Sequence, residues 1–317
     1  KLIINYFVIK IFLMLNISSR QLRIFVAAAK HLNFTRAAEE VHISPPAISM
    51  QIKEIESHLG TPLFNREKKN MYLSAAGEYF LNHARHILQT LNEAEKVIGQ
   101  LKGDRVETIK VGIISTAQYF LPQILKMFRE KNGNFKIILE VRNREQLIDL
   151  LRDGKIDIAV MGLVPKEIDT KIYVIANHPH VFVAGANHSL SKIKKIEPQL
   201  LNDFDLITRE SGSGTRAHME AFFQGHDIQP NIIMEMSSNE SIKQAVIADL
   251  GISFMSQHTI ASEIREGYLK ILDVKNTPII RKWHVVTLNP MSLNRSVELL
   301  KDFILSQSQA ILSKLEN

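Results

Sequence analysis

The segment FTRAAEEVHISPPAISMQIKEIESHLG, residues 34–60, decides the fold of the first third of the chain. It contains apolar residues at helical spacing, namely Ile48, Ile52, Ile55 and Leu59. Ser44 precedes Pro45 and Pro46, and proline is tolerated in the first turn of a helix, where amides lack intrahelical acceptors. Gly60 favours the end of the helix. We therefore predict a helix over residues 45–59 that buries its isoleucines and exposes its polar face.

Two further helices are predicted before this one. The first has an apolar stripe formed by Leu22, Phe25, Ala29 and Leu32. Asn33 and Phe34 interrupt it, and Thr35 is predicted to cap a short second helix that runs to Val41. Three short helices in this order are typical of a helix-turn-helix, in which the recognition helix enters the DNA major groove. A small helical bundle without a DNA-binding function is the alternative.

The exposed residues of these helices are predicted to contact DNA. Ser49 can reach a base edge and Lys53 a phosphate, while Thr35 and Arg36 at a helix start also suit a phosphate. The short basic segment within residues 62–74 is predicted to form a wing. The full set of predicted DNA-binding residues is Thr35, Arg36, Ser44, Pro45, Pro46, Ser49, Met50, Gln51, Lys53, Arg66, Lys68, Lys69 and Ser74.

A long helix is predicted over residues 75–102. Its apolar residues alternate at spacings of four and three, namely Phe80, Ala84, Ile87, Leu91, Ala94, Ile98 and Leu101. This spacing predicts a heptad seam that joins two chains as a coiled-coil homodimer. A single buried helix is the alternative, but its stripe would follow a period of about 3.6 residues.

The charge distribution agrees with a nucleic-acid-binding head. The net charge is +6, and residues 1–103 hold 13 Lys and Arg against 8 Asp and Glu, which leaves the remainder at +1. A basic first third fits a polyanion partner, although an ordinary basic protein has a similar total charge. The absence of cysteine excludes disulfide scaffolds, Cys-ligated zinc and thiol nucleophiles.

The first thirteen residues are apolar, yet they are too short to span a bilayer and include Asn5 and Lys10. No small-residue cleavage site follows them, and Met14 directly precedes the first helix pattern. We interpret residues 1–13 as a non-native or disordered extension, with a signal anchor as the alternative. The expected location is cytoplasmic and associated with the nucleoid, with no membrane partner.

From residue 109 onward, strand and helix patterns alternate, which predicts parallel sheets with covered faces. Ligands in such sheets lie beyond the carboxyl ends of the strands. Three polar segments occupy such positions: 115–116, 208–216 and 238–240. Their hydroxyls and helix-start amides suit a carboxylate or phosphate, and Gly212 and Gly214 allow close backbone approach.

Four blocks in the first third resemble the signature of LysR-type transcriptional regulators: residues 34–39 (FTRAAE), 44–52 (SPPAISMQI), 59–66 (LGTPLFNR) and 73–77 (LSAAG). The resemblance implies a winged helix-turn-helix, a homodimer that assembles to a homotetramer, RNA polymerase as a partner, and double-stranded DNA with a near-palindromic site. It further implies an effector domain like a type 2 periplasmic binding protein, with two α/β subdomains joined by two crossing strands. The family usually has Gln where this chain has Pro45, so direct base readout is altered there.

A narrower resemblance is to the CbbR branch, which regulates RuBisCO and other Calvin-cycle genes. It rests on residues 115–120, 143–145, 161–162, 209–216 and 238–246, and it implies a phosphorylated sugar, nucleotide or organic acid as effector. Leu163 replaces a common Arg, and Ser211 a common Pro. The full set of predicted effector-binding residues is Ser115, Thr116, Met161, Gly162, Thr208, Arg209, Ser211, Gly212, Ser213, Gly214, Thr215, Ser238 and Asn239.

The predicted architecture is α+β and multidomain. It comprises a winged helix-turn-helix over residues 14–74, a linker helix over 75–103, and an effector domain over 104–317. The first subdomain covers about 108–175 and 282–317, and the second about 176–281.

The sequence also bears on other functions. Phosphate-binding, metalloprotease and hydrolase motifs are absent from the sequence, so no catalytic residue and no cofactor is expected. His178 and His180 could hold a metal but are interpreted as a surface turn around Pro179, and Asp149, Asp153 and Asp157 as solvated charges. A regulator of another metabolic operon remains an alternative, as does a solute-binding protein, although the latter lacks a DNA-binding head.

Overall fold

The structure is a computed structural model that describes residues 17–67, 70–101, 107–133, 135–289 and 293–316. The chain forms two compact units, which divide between residues 105 and 106. The predicted extension over residues 1–13 lies outside the described residues. Among the helices in the described ranges, none combines the length and apolar character that crossing a bilayer requires.

Within the described residues, the first unit, called the head, consists of four helices and a hairpin. They are α1 (Ser19–His31), α2 (Phe34–Glu40), α3 (Pro45–Leu59), β1 (Phe64–Glu67), β2 (Asn70–Leu73) and α4 (Ala75–Leu101). The side chains of Ile48, Ile52 and Ile55 are at most 2 % exposed, as predicted for the third helix. They pack with Phe25 and other apolar residues of α1, so the three short helices share one core.

The second helix begins differently from the prediction. Asn33 lies at the cap position, and its Oδ1 accepts the amides of Thr35 at 2.9 Å and Arg36 at 3.2 Å. The prediction that Thr35 is the cap is therefore wrong. The helix starts two residues earlier, at Phe34, whose ring packs on Phe64 with centroids 5.7 Å apart. This ring contact places Asn33 where a short polar side chain best meets the free amides.

The hairpin pairs Phe64 with Leu73 and Glu67 with Asn70 in antiparallel register. Glu56 of α3 holds the first strand of the hairpin in place, because Glu56 Oε1 accepts hydrogen bonds from the amides of Leu63 at 2.7 Å and Phe64 at 3.2 Å. Lys68 and Lys69, predicted at the wing tip, lie outside the described residues, as does the side chain of Arg66.

The second unit, called the effector domain, is built on a nine-stranded sheet with the order β4-β3-β5-β11-β6-β9-β7-β8, and β10 pairs with β6. Its strands are β3 (Thr108–Ile113), β4 (Lys136–Val141), β5 (Ile158–Met161), β6 (Thr170–Gly185), β7 (Asp205–Arg209), β8 (Asn231–Met236), β9 (Ile252–Ser256), β10 (Leu269–Ile271) and β11 (Ile279–Leu288). Its helices are α5 (Leu121–Asn132), α6 (Arg144–Arg152), α7 (Gly214–Gln224), α8 (Asn239–Ile247), α9 (Ala261–Arg265) and α10 (Arg295–Glu316).

Two long strands cross between two lobes. β6 and β11 are antiparallel over their whole overlap, from Thr170 opposite Leu288 to His180 opposite Ile279. Lobe 1 contains β3, β4 and β5 beside one end of this pair, and lobe 2 contains β7, β8 and β9 beside the other. The two-lobed fold with two crossing strands thus agrees with the implied one.

The long strand β6 overturns one prediction. His178 and His180 were expected on a surface turn around Pro179, but both are 1 % exposed and lie within β6. Their rings pack against aromatic side chains of neighbouring elements instead of water, which the polar sequence in this stretch concealed.

Asp157 also differs from its prediction as a solvated charge. Its side chain is 7 % exposed, and its Oδ2 accepts the amide of Lys110 at 2.7 Å. The bond joins the residue before β5 to the neighbouring β3, and it supplies the hydrogen-bond donor that a buried carboxylate needs. Asp149, on the outer face of α6, is exposed as expected.

Candidate DNA-reading face and effector cleft

The polar face of α3 lies opposite its buried isoleucines. Lys53 is exposed, Ser49 is half-buried, and Met50 is 62 % exposed despite its apolar side chain. Ser44, Pro45 and Pro46 are exposed at the start of the helix. Gln51 differs from these residues, because its Nε2 donates to Glu54 Oε2 at 3.1 Å along the helix. The face thus presents a hydroxyl, a thioether and a cation to solvent.

The other predicted DNA-binding residues differ in whether their hydrogen-bonding groups are already occupied within the protein. Thr35 and Arg36 are exposed, but Asn33 occupies their amides, so a phosphate could be reached there only by their side chains. Ser74 Oγ donates to the carbonyl of Pro62 at 2.7 Å and accepts the amide of Gly77 at 3.0 Å. Its hydroxyl is therefore a structural cap for α4.

The predicted seam on α4 divides into two parts. Ala84 is fully buried in the core of the head, and Phe80 packs on Phe25 with ring centroids 5.0 Å apart. Further along, Ile87, Leu91 and Ile98 are 45 %, 44 % and 56 % exposed. Ala94 is also exposed, and the side chain of Leu101 lies outside the described part. An exposed apolar row on a helix of this length is the pattern that a second helix covers.

In the effector domain, a cleft lies between the lobes at the carboxyl ends of β3, β5 and β7. Seven predicted effector residues line it: Ser115, Thr116, Met161, Arg209, Ser213, Gly214 and Thr215. Its volume is about 20 Å³, which has room for about one water molecule. A metabolite would therefore have to widen the cleft.

Arg209 links the two walls of the cleft. Its guanidinium is 6 % exposed and binds both carboxylate oxygens of Glu210, at 2.8 and 3.0 Å. It also donates to Asn239 Oδ1 at 2.9 Å, and Asn239 Nδ2 donates to Ser115 Oγ at 3.3 Å. Asn239 does not line the cleft, but it connects Arg209 in lobe 2 to Ser115, which follows β3 in lobe 1.

Two groups in the cleft wall have unused hydrogen-bonding capacity. Thr116 Oγ1 is buried and has no hydrogen-bond partner among the described residues. At the start of α7, Ser213 makes no side-chain cap, so the first amides of this 11-residue helix are not satisfied by it. Helix-start amides favour anions because they carry the positive end of the helix dipole.

The remaining predicted effector residues lie away from the cleft surface. Thr208 Oγ1 contacts Met219 Sδ at 3.5 Å inside lobe 2. Ser238 Oγ caps α8 by accepting the amide of Ser241, and Ser211 is exposed. A side chain added at Gly162 would meet His178 Nδ1 at 2.7 Å, and one added at Gly212, where φ is +81°, would meet Glu145 at 3.0 Å. These two glycines thus allow close packing.

Five lining residues were missed: Ile114, Arg142, Asn143, Arg144 and Leu163. Arg142 and its two successors follow β4, so the rule that ligands lie at strand carboxyl ends would have found them. Arg144 binds Glu167 through two nitrogens, each at 3.0 Å, and these bonds lower the pKa of Glu167 to about 2. This cation is therefore held at the cleft edge by a carboxylate.

Behind the cleft, imidazole rings stack where the crossing strands meet. His178 stacks on Trp283 with centroids 3.8 Å apart, and His180 lies 5.1 Å from His218. Trp283 Nε1 donates to His258 Nδ1 at 3.2 Å. Burial lowers the pKa of His178, that of His180 to about 3 and that of His218 to about 4, so these rings are neutral. No cluster suited to a metal ion occurs among the described residues.

Two family models match almost the entire chain. Residues 19–78 match the bacterial regulatory helix-turn-helix protein of the lysR family, and residues 102–309 match the LysR substrate binding domain. The chain belongs to the LysR family of transcriptional regulators.

Curated relatives of this LysR-type regulator match over nearly their whole length. The HTH-type transcriptional regulator CfxR of Cupriavidus necator is 40 % identical over 295 residues, 93 % of each chain. The RuBisCO operon transcriptional regulator of Allochromatium vinosum is 35 % identical over 303 residues, 95 % of this chain and 100 % of its own.

A solved structure resembles the effector domain. The CcmR regulatory domain of Synechocystis PCC6803, in complex with 2-PG, matches with a TM-score of 0.61 and 34 % identity. The match covers 63 % of this chain and 96 % of that one.

Proposed function

We propose that this LysR-type regulator controls RuBisCO and carbon-fixation genes in response to a small anionic metabolite bound in the cleft between lobes 1 and 2. The proposal that the cleft binds an effector rests on two groups in its wall. Thr116 Oγ1 is a buried hydroxyl with no hydrogen-bond partner among the described residues, and the start of α7 has no side-chain cap. The gene target rests on the relatives, two of which are RuBisCO operon transcriptional regulators.

The effector is an anion, such as a phosphorylated sugar, a nucleotide or an organic acid. Arg209 and the first amides of α7 supply positive charge, and Ser213 and Thr215 supply hydroxyl donors. The complex of the CcmR regulatory domain with 2-PG supports this ligand class. Leu163 contributes no charge, so recognition depends on Arg209, on the α7 amides and on the two other lining cations, Arg142 and Arg144.

The DNA half places α3 in a major groove, with Ser49 and Met50 at base edges and Lys53 on a phosphate. Arg36 supports it through its side chain, and Lys68 and Lys69 are proposed wing contacts. Ile87, Leu91 and Ile98 join two chains, so that paired heads bind a near-palindromic site. Pairs then assemble to a tetramer that recruits RNA polymerase.

The test measures DNA binding with and without ligand. The full chain is titrated into a labelled duplex that carries the promoter of the RuBisCO operon of the source organism, and into a scrambled duplex. We expect the promoter to bind at least a hundredfold more tightly than the scrambled duplex at physiological salt, within the usual range of specificity ratios. Adding 2-PG should change the footprint. A ligand that binds one cleft geometry more tightly increases the population of that geometry, and with it the population of one arrangement of the paired heads.

A matched variant separates the two halves. Thr116→Val removes the hydroxyl at nearly constant volume, so promoter binding should persist while the response to 2-PG weakens. Equal affinity for both duplexes contradicts the DNA half. An unchanged footprint with 2-PG, sugar phosphates, nucleotides and organic acids contradicts the sensing half, and binding to another operon in place of this promoter contradicts the gene target.

A further inference from the structure

A second set of contacts joins the lobes beside the cleft. Tyr119, at the end of the 3₁₀ turn Ser115–Tyr119 in lobe 1, donates its hydroxyl to Glu240 Oε1 on α8 in lobe 2. Lys243 and Glu263 complete the group in lobe 2. We call these four residues the clasp. None of them lines the cleft.

The three groups from lobe 2 form a preassembled charge network. The Lys243 side chain is 4 % exposed, and its ammonium lies 2.8 Å from Glu240 Oε1 and 2.7 Å from Glu263 Oε1. A buried ammonium is costly unless it is paired, so these carboxylates hold it in place. The same ammonium lies 5.1 Å from the centroid of the Tyr119 ring, within cation–π distance.

Tyr119 is suited to act as the donor in this group. Burial and the neighbouring Glu240 carboxylate raise the pKa of its phenol, so the hydroxyl keeps its proton. Burial acts to raise the pKa of Glu240, but the bonds from Lys243 and Tyr119 outweigh it and lower that pKa. A neutral phenol thus donates to an ionised carboxylate, which is a strong pairing.

The clasp and the cleft share their backbone segments. Ser115 and Thr116, which line the cleft, lie on the same turn as Tyr119. Asn239, which bonds Arg209 and Ser115, directly precedes Glu240. A ligand that displaces these cleft contacts must therefore move the two segments that carry the clasp.

We propose that the Tyr119–Glu240 bond holds the cleft closed and thereby sets the affinity for the effector. Tyr119 and Glu240 act as positioning residues that do not touch the ligand. This inference rests on the proposed function, because it takes the cleft as the effector site. It accounts for a cleft of only about 20 Å³, which a metabolite would have to widen against this bond.

The test uses the full chain, whose lack of cysteine allows clean labelling. Spin labels at Asp149→Cys on α6 and Ala217→Cys on α7, both exposed positions, report the distance between the lobes. Labelled chains are diluted with unlabelled chains so that distances within one chain dominate. Tyr119→Phe removes the hydroxyl and keeps the ring above Lys243. Without ligand, we expect the variant to shift the distance distribution away from the closed state of the parent chain.

Titration with 2-PG gives the second readout. We expect Tyr119→Phe to strengthen the apparent affinity about fivefold, because a ligand that widens the cleft no longer has to break one hydrogen bond to a partly exposed charge. Saturating 2-PG should shift the parent chain toward the wider distance of the variant. Glu240→Gln should act in the same direction, and the double variant should bind no more tightly than the tighter single variant, because both substitutions weaken the same Tyr119–Glu240 bond.

Tyr173→Phe is the matched control. Its ring also lies under a lysine ammonium, with Lys301 Nζ 4.9 Å from the centroid, but both residues belong to lobe 1. It should leave the distances and the affinity unchanged. Identical distance distributions for Tyr119→Phe and the parent chain overturn the clasp. Failure of 2-PG to bind the parent chain counts against the proposed effector, while the ligand-free distances still decide the clasp.

Discussion

In the head, Ser49, Met50 and Lys53 lie on the solvent side of a helix whose other side is buried, whereas in the effector domain Arg209, Asn239 and Ser115 are bonded to one another. The first set can change without loss of internal contacts. In the second set, each side chain supports its neighbour as well as the site. A substitution on this exposed face of α3 therefore separates function from stability, whereas one among the bonded residues of the effector domain changes both.

The largest expected effect is an acid destabilisation of the effector domain. Burial lowers the pKa of His178, that of His180 to about 3 and that of His218 to about 4, while the unfolded chain titrates near 6.5. The unfolded state thus binds more protons below pH 6.5, and the free energy of unfolding falls until the pH reaches the folded pKa values. Each histidine contributes a loss on the order of 2 kcal/mol by pH 5.

Urea unfolding between pH 5 and pH 8 measures this loss, with the fluorescence of Trp283, the single tryptophan, as the signal. His218→Gln should flatten the pH dependence by one proton and leave the remainder. A midpoint that does not change between pH 5 and pH 8 would show that these rings take up protons in the folded state as readily as in the unfolded chain, and the contrast with the head would be lost.

The second effect separates the two sides of α3. Ile52→Ala leaves a cavity in the core of the head and should cost about 3 kcal/mol. Met50→Ala, two residues away on the exposed side, should change stability by less than about 0.5 kcal/mol. Hydrogen exchange of the amides in α1 and α3 of the full chain measures both. Equal effects of the two substitutions would mean that the helix is not amphipathic in solution.

The third effect is on DNA affinity alone. Lys53→Gln removes one cation that forms no ion pair within the described residues, so the salt dependence of promoter binding should decrease by about one unit of slope. The unfolding free energy should stay unchanged. Lys126→Gln, which removes another exposed cation, on α5, is the control and should alter neither quantity. A salt slope that Lys53→Gln leaves intact would remove Lys53 from the DNA-reading face.

The smallest effect concerns the start of α2. Asn33→Ala removes the cap that holds the amides of Thr35 and Arg36 and should cost about 1 kcal/mol. Thr35→Ala should cost little, because its hydroxyl is not the cap. Thermal unfolding of both variants, followed by circular dichroism, ranks them. The reverse order would restore Thr35 as the cap.

Most of the fold could be predicted from periodicity and from the resemblance. The spacing of the isoleucines in α3 predicts which side of the helix is buried, because the apolar face of an amphipathic helix follows from residue spacing alone. Asn33 could not be distinguished from Thr35 by type, since both are good caps, and the choice depends on where the ring of Phe34 packs.

The cleft was predicted less completely for a physical reason. Strand ends bring residues 115, 161 and 213–215 together, and sequence indicates strand ends well. Which side chains face the cleft is decided by tertiary contacts, as for Thr208, which faces Met219. His178 and His180 were misplaced because polar residues in a buried strand look like a turn when their aromatic neighbours are distant in sequence.

The pairing of β6 with β11 has a consequence for how this chain could be rebuilt. Lobe 2 is one uninterrupted insertion, and the chain enters and leaves it through strands that lie side by side, with Asn177 opposite Lys282. A short turn between these two positions would close lobe 1 on itself, and a different lobe could be grafted at the same junction. The lobe 2 wall of the cleft, with Arg209 and the start of α7, is thus a module that recombination can exchange while the lobe 1 wall stays in place.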